Sequence, residues 1–142
     1  MEKVLIVDGH SAIFSTPWLR ELHQTNNDSG RDALTRELSD YQNLSDTYVI
    51  LVYDGKGKTI GQQGGTEKEI LILYSRTNQT ADTIIERLAA KHAKKHDVQV
   101  ASNDLMVLES CYASGAHTMS IDSLWDKIDY NLGKRSQHRR SY

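Results

Sequence analysis

The chain has 142 residues, of which 38% are hydrophobic and 25% charged, and its formal net charge is −2. This length allows one domain with a buried core, and the net charge argues against binding nucleic acid through bulk positive charge. No apolar run approaches the ~18 residues of a membrane-spanning helix, and the first residues lack the pattern of a signal peptide, so we expect a cytoplasmic protein. The single cysteine, Cys111, excludes an internal disulfide and a thiolate metal cluster.

Short apolar runs alternate with amphipathic segments along the chain. The apolar runs predict five strands, at residues 4–7, 48–53, 69–74, 98–102 and 117–121. Thr16 and Pro17 indicate the cap and first residue of a helix, and amphipathic spacing predicts further helices at residues 31–44, 81–95, 104–113 and 122–132. We expect loops in the polar segment 24–30 and in the glycine-rich segment 55–66. Strands separated by helices form right-handed parallel crossovers, so the pattern predicts an α/β fold, a three-layer α/β/α sandwich with a mainly parallel five-stranded sheet.

A basic segment follows the last predicted helix. Residues 134–140, KRSQHRR, carry four full positive charges. We therefore divide the chain into one domain over residues 1–132 and a basic C-terminal tail over residues 133–142. Such a tail is either a solvated end or an arm that contacts phosphates, since phosphate contacts add affinity without a fold of their own.

Aspartates follow the apolar runs at several points of the chain. VLIVDG leads to Asp8, VILVYDG to Asp54 and VQVASND to Asp104, while Asp82 begins the helix after the third strand. The carboxyl ends of parallel strands line one edge of a sheet, where ligands of open α/β sheets bind. Four carboxylates at that edge repel one another unless a cation lies between them, and such hard oxygen ligands suit Mg²⁺ or Mn²⁺. The pattern therefore indicates a divalent-metal site.

Each of these aspartates also has a structural explanation. Asp82 and Asp104 stand in the first turns of helices, where a negative charge offsets the macrodipole. Asp8 and Asp54 belong to Asp-Gly pairs, which are common in turns. For any one aspartate taken alone the structural explanation is the better one, and only the coincidence of the four on one predicted edge favours the metal site.

Three other functional motifs are rejected because the residues around them do not fit. GKGKT at residues 55–59 lacks the earlier glycine of a phosphate-binding loop, because position 52 is Val52, and no helix is predicted directly after it. His92 and His96 have a zinc-binding spacing, but no glutamate lies between them and the surrounding face is basic, which favours a solvated face. A receiver domain requires a pair of acids after the first strand, where this chain has Gly9 and His10.

Five segments together resemble the bacterial YacP-like NYN domains, which belong to the PIN-like ribonuclease group. The segments are VLIVDGHSAI, GRDALTRELSDYQ, VILVYDG, EILILYSRTNQTADTIIERLA and VQVASNDLMVLESCYASGA, in the order and spacing of that family, from about residue 3 to residue 128. The resemblance implies a PIN-like sandwich and metal-dependent endonucleolytic cleavage of RNA. It further implies cleavage of messenger RNA in association with the ribosome.

The resemblance also assigns residues. It implies that Asp8, Asp82 and Asp104 are the catalytic, metal-binding acids, with Asp54 as a fourth ligand. Six residues are expected to contact RNA or to support the site: Arg31, Ser11, Ser102, Asn103, Lys56 and Lys58. Lys56 and Lys58 are included because the glycine-rich segment that carries them could close over a single strand of RNA. The cofactor is expected to be Mg²⁺ or Mn²⁺.

This chain departs from the family after its first Asp-Gly pair. The family usually has Tyr-Asn there, whereas this chain has His10 and Ser11. Ser11 keeps a hydrogen-bonding oxygen but loses the reach of an amide, and His10 is either a surface for stacking a base or an ordinary surface residue. The first hypothesis is thus a ribonuclease for single-stranded RNA. The alternatives are a catalytically weakened RNA- or ribosome-binding module and a toxin-like nuclease with a paired inhibitor.

Overall fold

A computed structural model of the chain describes residues 2–57, 61–65, 69–76 and 78–133. The elements follow in the order β1 (Lys3–Asp8), α1 (Gly9–Ser15), α2 (Pro17–Thr25), α3 (Asn27–Ser45), β2 (Thr47–Gly57), β3 (Gly61–Gly64), β4 (Leu71–Arg76), α4 (Ala81–His92), β5 (Asp97–Ala101), α5 (Leu105–Ala113), β6 (His117–Met119) and α6 (Ile121–Leu132). Among the described helices, none has the length and apolar character needed to cross a membrane.

The strands form one sheet in the order β3-β4-β2-β1-β5-β6. Within the described ranges, the neighbours in the run from β4 to β6 pair in parallel, whereas β3 is antiparallel to β4 at the edge. The predicted five-stranded parallel sheet is confirmed, with one antiparallel edge strand added to it. Since β1 lies between β2 and β5, the strand order reverses there, which is where ligands bind in open α/β sheets.

The residues of β1 alternate between two cores, as the period of a strand requires. Leu5 and Val7 pack in one core with residues of α1, α2, α3 and α6, while Val4 and Ile6 pack in the other with residues of α4 and α5. Each fully buried aliphatic side chain of this kind contributes about 1.5–3 kcal/mol to folding. The three-layer α/β/α arrangement is therefore confirmed.

Two predicted loops were wrong in part. The polar segment 24–30 holds the end of α2 and the start of α3, with only Asn26 between them, because the Asn26 side chain accepts a hydrogen bond from the Asp28 amide and starts α3 early. Segment 55–66 contributes the end of β2 and all of β3. A Cβ on Gly55 would lie 2.2 Å from the Ser75 carbonyl oxygen, so glycine is what lets β2 run on against β4.

Helix α1 lies directly after β1 and was not predicted. It begins at Gly9, and its N-cap is Asp8, whose carboxylate accepts the Ser11 amide. Ala12 and Ile13 are buried in the first core, which holds this short helix against the sheet. Asp8 is therefore both the last residue of β1 and the N-cap of α1.

Candidate active site

Asp8 ends the central strand and is held by three hydrogen bonds. Its Oδ1 accepts the Ser11 amide at 3.3 Å, and its Oδ2 accepts the hydroxyls of Ser11 at 2.8 Å and of Ser102 at 2.7 Å. Only 4% of Asp8 is exposed. Hydrogen bonds to a charged acceptor are the stronger kind in proteins, so the orientation of this carboxylate is fixed.

The same two hydroxyls hold the loop that follows β5. Ser11 Oγ accepts the Asn103 amide at 3.1 Å, and Ser102 Oγ accepts the Asp104 amide at 3.0 Å. Both serines are buried, with Ser102 fully so. They therefore lock Asp8 and the backbone of Asp104 into one network, and this is the support for a positioning role. Direct contact of Ser11 or Ser102 with RNA stays a prediction.

Position 11 is one of the two positions at which the sequence departs from the pattern expected from its family resemblance. The Ser11 hydroxyl reaches Asp8 without an amide, because the first turn of α1 brings it within hydrogen-bond distance. The replacement of the usual asparagine thus leaves Asp8 with a side-chain donor from this position.

Asp104 and Asn103 lie at the carboxyl end of β5. Asp104 is the N-cap of α5, and its Oδ1 accepts the amides of Met106 at 2.9 Å and Val107 at 3.3 Å. The Asn103 Oδ1 accepts the Ile121 amide at 3.0 Å and so ties the loop to the start of α6. Asp104 thus caps α5 and does not stand inside its first turn as predicted, and the cap holds this carboxylate at the edge where the metal site was expected.

Asp54 and Asp82 meet at the start of α4. Asp54 lies where the pairing of β2 with β4 loses its register, and irregularities of this kind re-aim side chains. Its Oδ1 accepts the Ala81 amide at 2.7 Å, which anchors the first residue of α4. Asp82 stands in the first turn of that helix, next to this contact.

The other three predicted acids lie close enough to Asp82 to raise its pKa. Burial raises the pKa of Asp82 first, and neighbouring carboxylates raise it further, those of Asp104, Asp8, Asp54 and Glu86. A carboxylate that is disfavoured in its charged form by several like charges is a natural ligand for a cation.

The convergence is looser than a closed coordination shell. In the part of the chain that the structure describes, no three Asp, Glu, His or Cys side chains are close enough together to enclose a metal ion. Mg²⁺ usually keeps several waters and is bound through one or two carboxylates together with substrate phosphates, rather than by an all-protein cage. One or two of these carboxylates would suffice for a cation of that kind, and Asp8, Asp82 and Asp104 stay its predicted ligands.

Arg31 lies against two aromatic rings beside this edge. Its guanidinium carbon is 4.9 Å from the ring centroid of Tyr53 and 6.0 Å from that of Tyr74, and the two rings stack with centroids 5.7 Å apart. Tyr53 directly precedes Asp54, and a Cβ on Gly9 would lie 2.3 Å from its Cε1, so its ring covers the first residue of α1. Burial raises the pKa of Tyr53 well above its ordinary value, which keeps the phenol neutral.

Sequence reasoning missed Tyr53 and Tyr74 as parts of the site. Both are aromatic residues at or near the ends of strands, and Tyr53 stands immediately before a predicted ligand, which was the available signal. Of the two predicted lysines, Lys56 lies in β2, whereas Lys58 and the basic tail from residue 134 onward lie outside the described residues.

Comparisons with known proteins establish the family and the fold of this chain. The model of the YacP-like NYN domain matches residues 5–141. The YacP protein of Bacillus subtilis is 27% identical over 137 residues, which cover 96% of this chain and 80% of that protein. Two crystal structures of Rae1 (YacP) from Bacillus subtilis share the fold: a mutant with a TM-score of 0.77 at 24% identity, and a second structure with 0.74 at 27%. Both matches cover 92% of this chain, and 77% and 76% of those chains. The chain belongs to the YacP-like NYN domain family, a nuclease-type fold.

Proposed function

We propose that this protein is a metal-dependent endoribonuclease that cleaves single-stranded RNA. The observation that carries the proposal is the placement of the acids: Asp8 ends β1, Asp104 follows the neighbouring parallel strand β5, and Asp54 anchors the helix that carries Asp82. The raised pKa of Asp82, caused by burial and by the neighbouring carboxylates, agrees with this placement. Like charges held at one sheet edge cost free energy in the folded state, and a bound cation offsets that cost. Membership of a nuclease-type family supports the same conclusion.

The chain's own residues prepare the site. Asp8, Asp82 and Asp104 would hold Mg²⁺ or Mn²⁺, with Asp54 as a fourth carboxylate at the start of α4. A bound divalent ion supplies a nucleophilic water at neutral pH and offsets negative charge on the attacked phosphate. Ser11 and Ser102 keep Asp8 oriented, and Asp54 fixes the helix that carries Asp82. Such fixed geometry lowers the reorganisation required during reaction.

Arg31 supplies positive charge beside the acids. Its guanidinium stacks on Tyr53, the residue directly before Asp54, and this contact supports placing its charge beside the acids. A guanidinium can bind a phosphate through two parallel hydrogen bonds, which a point charge cannot do. We include Lys56, Lys58 and Asn103 as further RNA contacts, and messenger RNA on the ribosome in the cytoplasm as the substrate that the family resemblance implies.

Cleavage of a fluorescent, unstructured RNA by the purified protein tests this proposal. We expect products with Mn²⁺ or Mg²⁺ and none with a chelator, and we expect Asp8→Asn and Asp82→Asn to lower the rate at least ~100-fold, since each removes a ligand charge. Asp40→Asn is the matched control, because Asp40 is an exposed aspartate of α3. Equal rates for wild type, Asp8→Asn and Asp82→Asn would overturn the assignment.

A second candidate is an RNA- or ribosome-binding module of the same fold with weakened catalysis. It is favoured by the loose spacing of the acids, since no three of the described acidic, histidine and cysteine side chains form a ready metal-binding group. This candidate predicts RNA binding that survives a chelator and yields no products with either metal. Metal-dependent turnover by the purified protein would exclude it.

A further inference from the structure

Three aromatic rings form a strip that begins at the candidate active site. The ring of His10 lies 4.5 Å from that of Phe14, at an angle of 35°, and Phe14 meets His23 edge-on at 5.2 Å. His10 and Phe14 are one helical turn apart on α1, which brings their side chains together. Since α1 starts directly after Asp8, the strip leads away from the acidic edge.

The strip is open to solvent at its active-site end. His10 is exposed, and Phe14 is 40% exposed although it is the one phenylalanine of the chain. Leaving a large aromatic face in water forgoes the free energy of its burial. An exposed ring beside a reactive edge is therefore suited to cover part of a ligand.

The far end of the strip is held in place by packing. His23 is half-buried on α2, and a Cβ on Gly30 would lie 2.8 Å from the His23 Cβ, so α3 approaches this residue closely. The edge of His23 supports Phe14, and Phe14 in turn supports His10. A strip whose rings are already ordered loses little entropy when a ligand binds to it.

The aromatic character of the strip indicates which part of an RNA it meets. Stacking on an aromatic face does not depend on charge, and the strip offers ring faces from His10 and Phe14, so it suits a base better than a phosphate. Every nucleobase has a flat face that can stack on such a ring.

We propose that His10 and Phe14, supported by His23, form a stacking subsite for an unpaired nucleobase beside the phosphate that is cleaved. This inference rests on the proposed function, because the strip starts at the acids that would hold the metal. The imidazole ring of His10 offers a flat face to such a base. The stacking subsite makes an unpaired base at this position a requirement of the substrate.

Binding of RNA oligonucleotides measured by fluorescence anisotropy tests the subsite. Ca²⁺ replaces Mn²⁺ in these samples, and gels confirm that the RNA stays intact. We use a series of RNAs, each with one abasic nucleotide at a different position. The affinity should fall about 5- to 100-fold for the RNA in which the stacked base is missing. His10→Ala and Phe14→Leu should show the same loss with intact RNA and no further loss with the abasic RNA.

The variants are chosen to separate stacking from folding. Phe14→Leu keeps an apolar side chain but removes the ring, and His10→Phe keeps a ring and should retain wild-type affinity or exceed it. Tyr130→Ala is the matched control, because Tyr130 is an aromatic residue of α6 that is 87% exposed. The salt dependence of binding should be unchanged in His10→Ala, since no phosphate contact is lost.

Two results would overturn the inference. The first is that abasic RNAs bind as tightly as the intact RNA, whichever nucleotide lacks its base. The second is that His10→Ala and Phe14→Leu bind RNA with the same affinity as Tyr130→Ala, which would indicate that the strip contacts a protein partner and not RNA. Failure of the proposed function is a separate result, because it appears as the absence of metal-dependent cleavage while the binding assay involves no cleavage.

Discussion

The Ser102 hydroxyl donates to Asp8 Oδ2 over 2.7 Å, which joins two residues 94 positions apart in the sequence. The Ser11 hydroxyl donates to the same oxygen, and each serine also accepts an amide of the loop that carries Asp104. Two side chains from different elements therefore hold one carboxylate and one loop in register. This network fixes the position of the Asp8 carboxylate relative to the backbone of Asp104.

Loss of either hydroxyl should weaken both the fold and the reaction. We expect Ser102→Ala to lower the free energy of unfolding by about 1–3 kcal/mol, because the Asp104 amide loses its acceptor and Asp8 loses a donor. Cleavage should fall mainly through kcat, since Asp8 is misplaced rather than removed. Urea denaturation and steady-state kinetics measure these two effects.

Ser11→Asn and Ser114→Ala complete that experiment. Ser11→Asn introduces the family's usual residue and should keep a donor to Asp8, so its activity should exceed that of Ser11→Ala. Ser114 is an exposed serine at the end of α5, and its replacement by alanine should change neither quantity. If Ser102→Ala behaves like Ser114→Ala, the network has no role in positioning Asp8.

The acids could be predicted from the sequence because their positions follow from topology. Asp8 and Asp54 come directly after apolar runs and Asp104 comes after the turn that follows one, and parallel strands bring such ends to one edge. Asp82 lies near these acids because it stands in the first turn of α4, and their carboxylates raise its pKa.

Helix α1 and strand β3 could not be predicted because their stability is not local. Helix α1 has seven residues and starts with glycine, and it is held by the Asp8 cap and by the burial of Ala12 and Ile13. Such a short helix is marginal without tertiary packing. Strand β3 reads GQQG and pairs with β4 through backbone groups, which leave no trace in the side-chain pattern.

Replacing Asp82 should stabilise the protein when no metal is bound. The folded state raises the pKa of Asp82 above its ordinary value of 3.8, so the folded protein binds this proton more tightly than the unfolded chain. The resulting stability is present below pH 3.8 and is lost as the pH rises through the raised pKa. At neutral pH Asp82→Asn should therefore be more stable than wild type, by up to ~1 kcal/mol because solvent screens this partly exposed group.

Divalent metal should make wild type more stable than Asp82→Asn. A ligand that binds only the folded state stabilises it, so Mn²⁺ should raise the melting temperature of wild type and have little effect on Asp82→Asn. Thermal denaturation at pH 7 with and without Mn²⁺ measures both effects, and Asp40→Asn serves as the control. A wild type that is more stable than Asp82→Asn without metal would contradict the repulsion between these carboxylates.

The contribution of Arg31 to RNA affinity should depend on the planar shape of its guanidinium as well as on its charge. Arg31→Lys keeps the charge but loses the stack on Tyr53, and we expect RNA affinity to fall about 2- to 5-fold. Arg31→Ala should weaken binding further and make it less dependent on salt, because a phosphate contact to the single strand is lost. Fluorescence anisotropy over a series of salt concentrations measures both. Arg36→Ala is the control, since Arg36 is an exposed arginine of the same helix, and a salt dependence of Arg31→Ala equal to that of Arg36→Ala would remove Arg31 from the RNA contacts.

Gly9 should be required because the ring of Tyr53 occupies the space of a side chain. A Cβ at position 9 would lie 2.3 Å from Tyr53 Cε1, far inside contact distance, although alanine is otherwise the better residue in a helix. We expect Gly9→Ala to lower the free energy of unfolding by about 1–3 kcal/mol, the usual cost of overpacking. Cleavage should fall as well, because a displaced Tyr53 moves both Arg31 and the neighbouring Asp54.

A double-mutant cycle separates this clash from other effects of the alanine. Tyr53→Leu shortens the side chain that meets Gly9, so Gly9→Ala should cost little in that background, and the difference between the two backgrounds is the interaction free energy. Urea denaturation of the four proteins measures it. An equal cost of Gly9→Ala in both backgrounds would show that glycine is required at position 9 for a reason other than Tyr53. The aromatic stack would then not link the first turn of α1 to the acids at the end of β2.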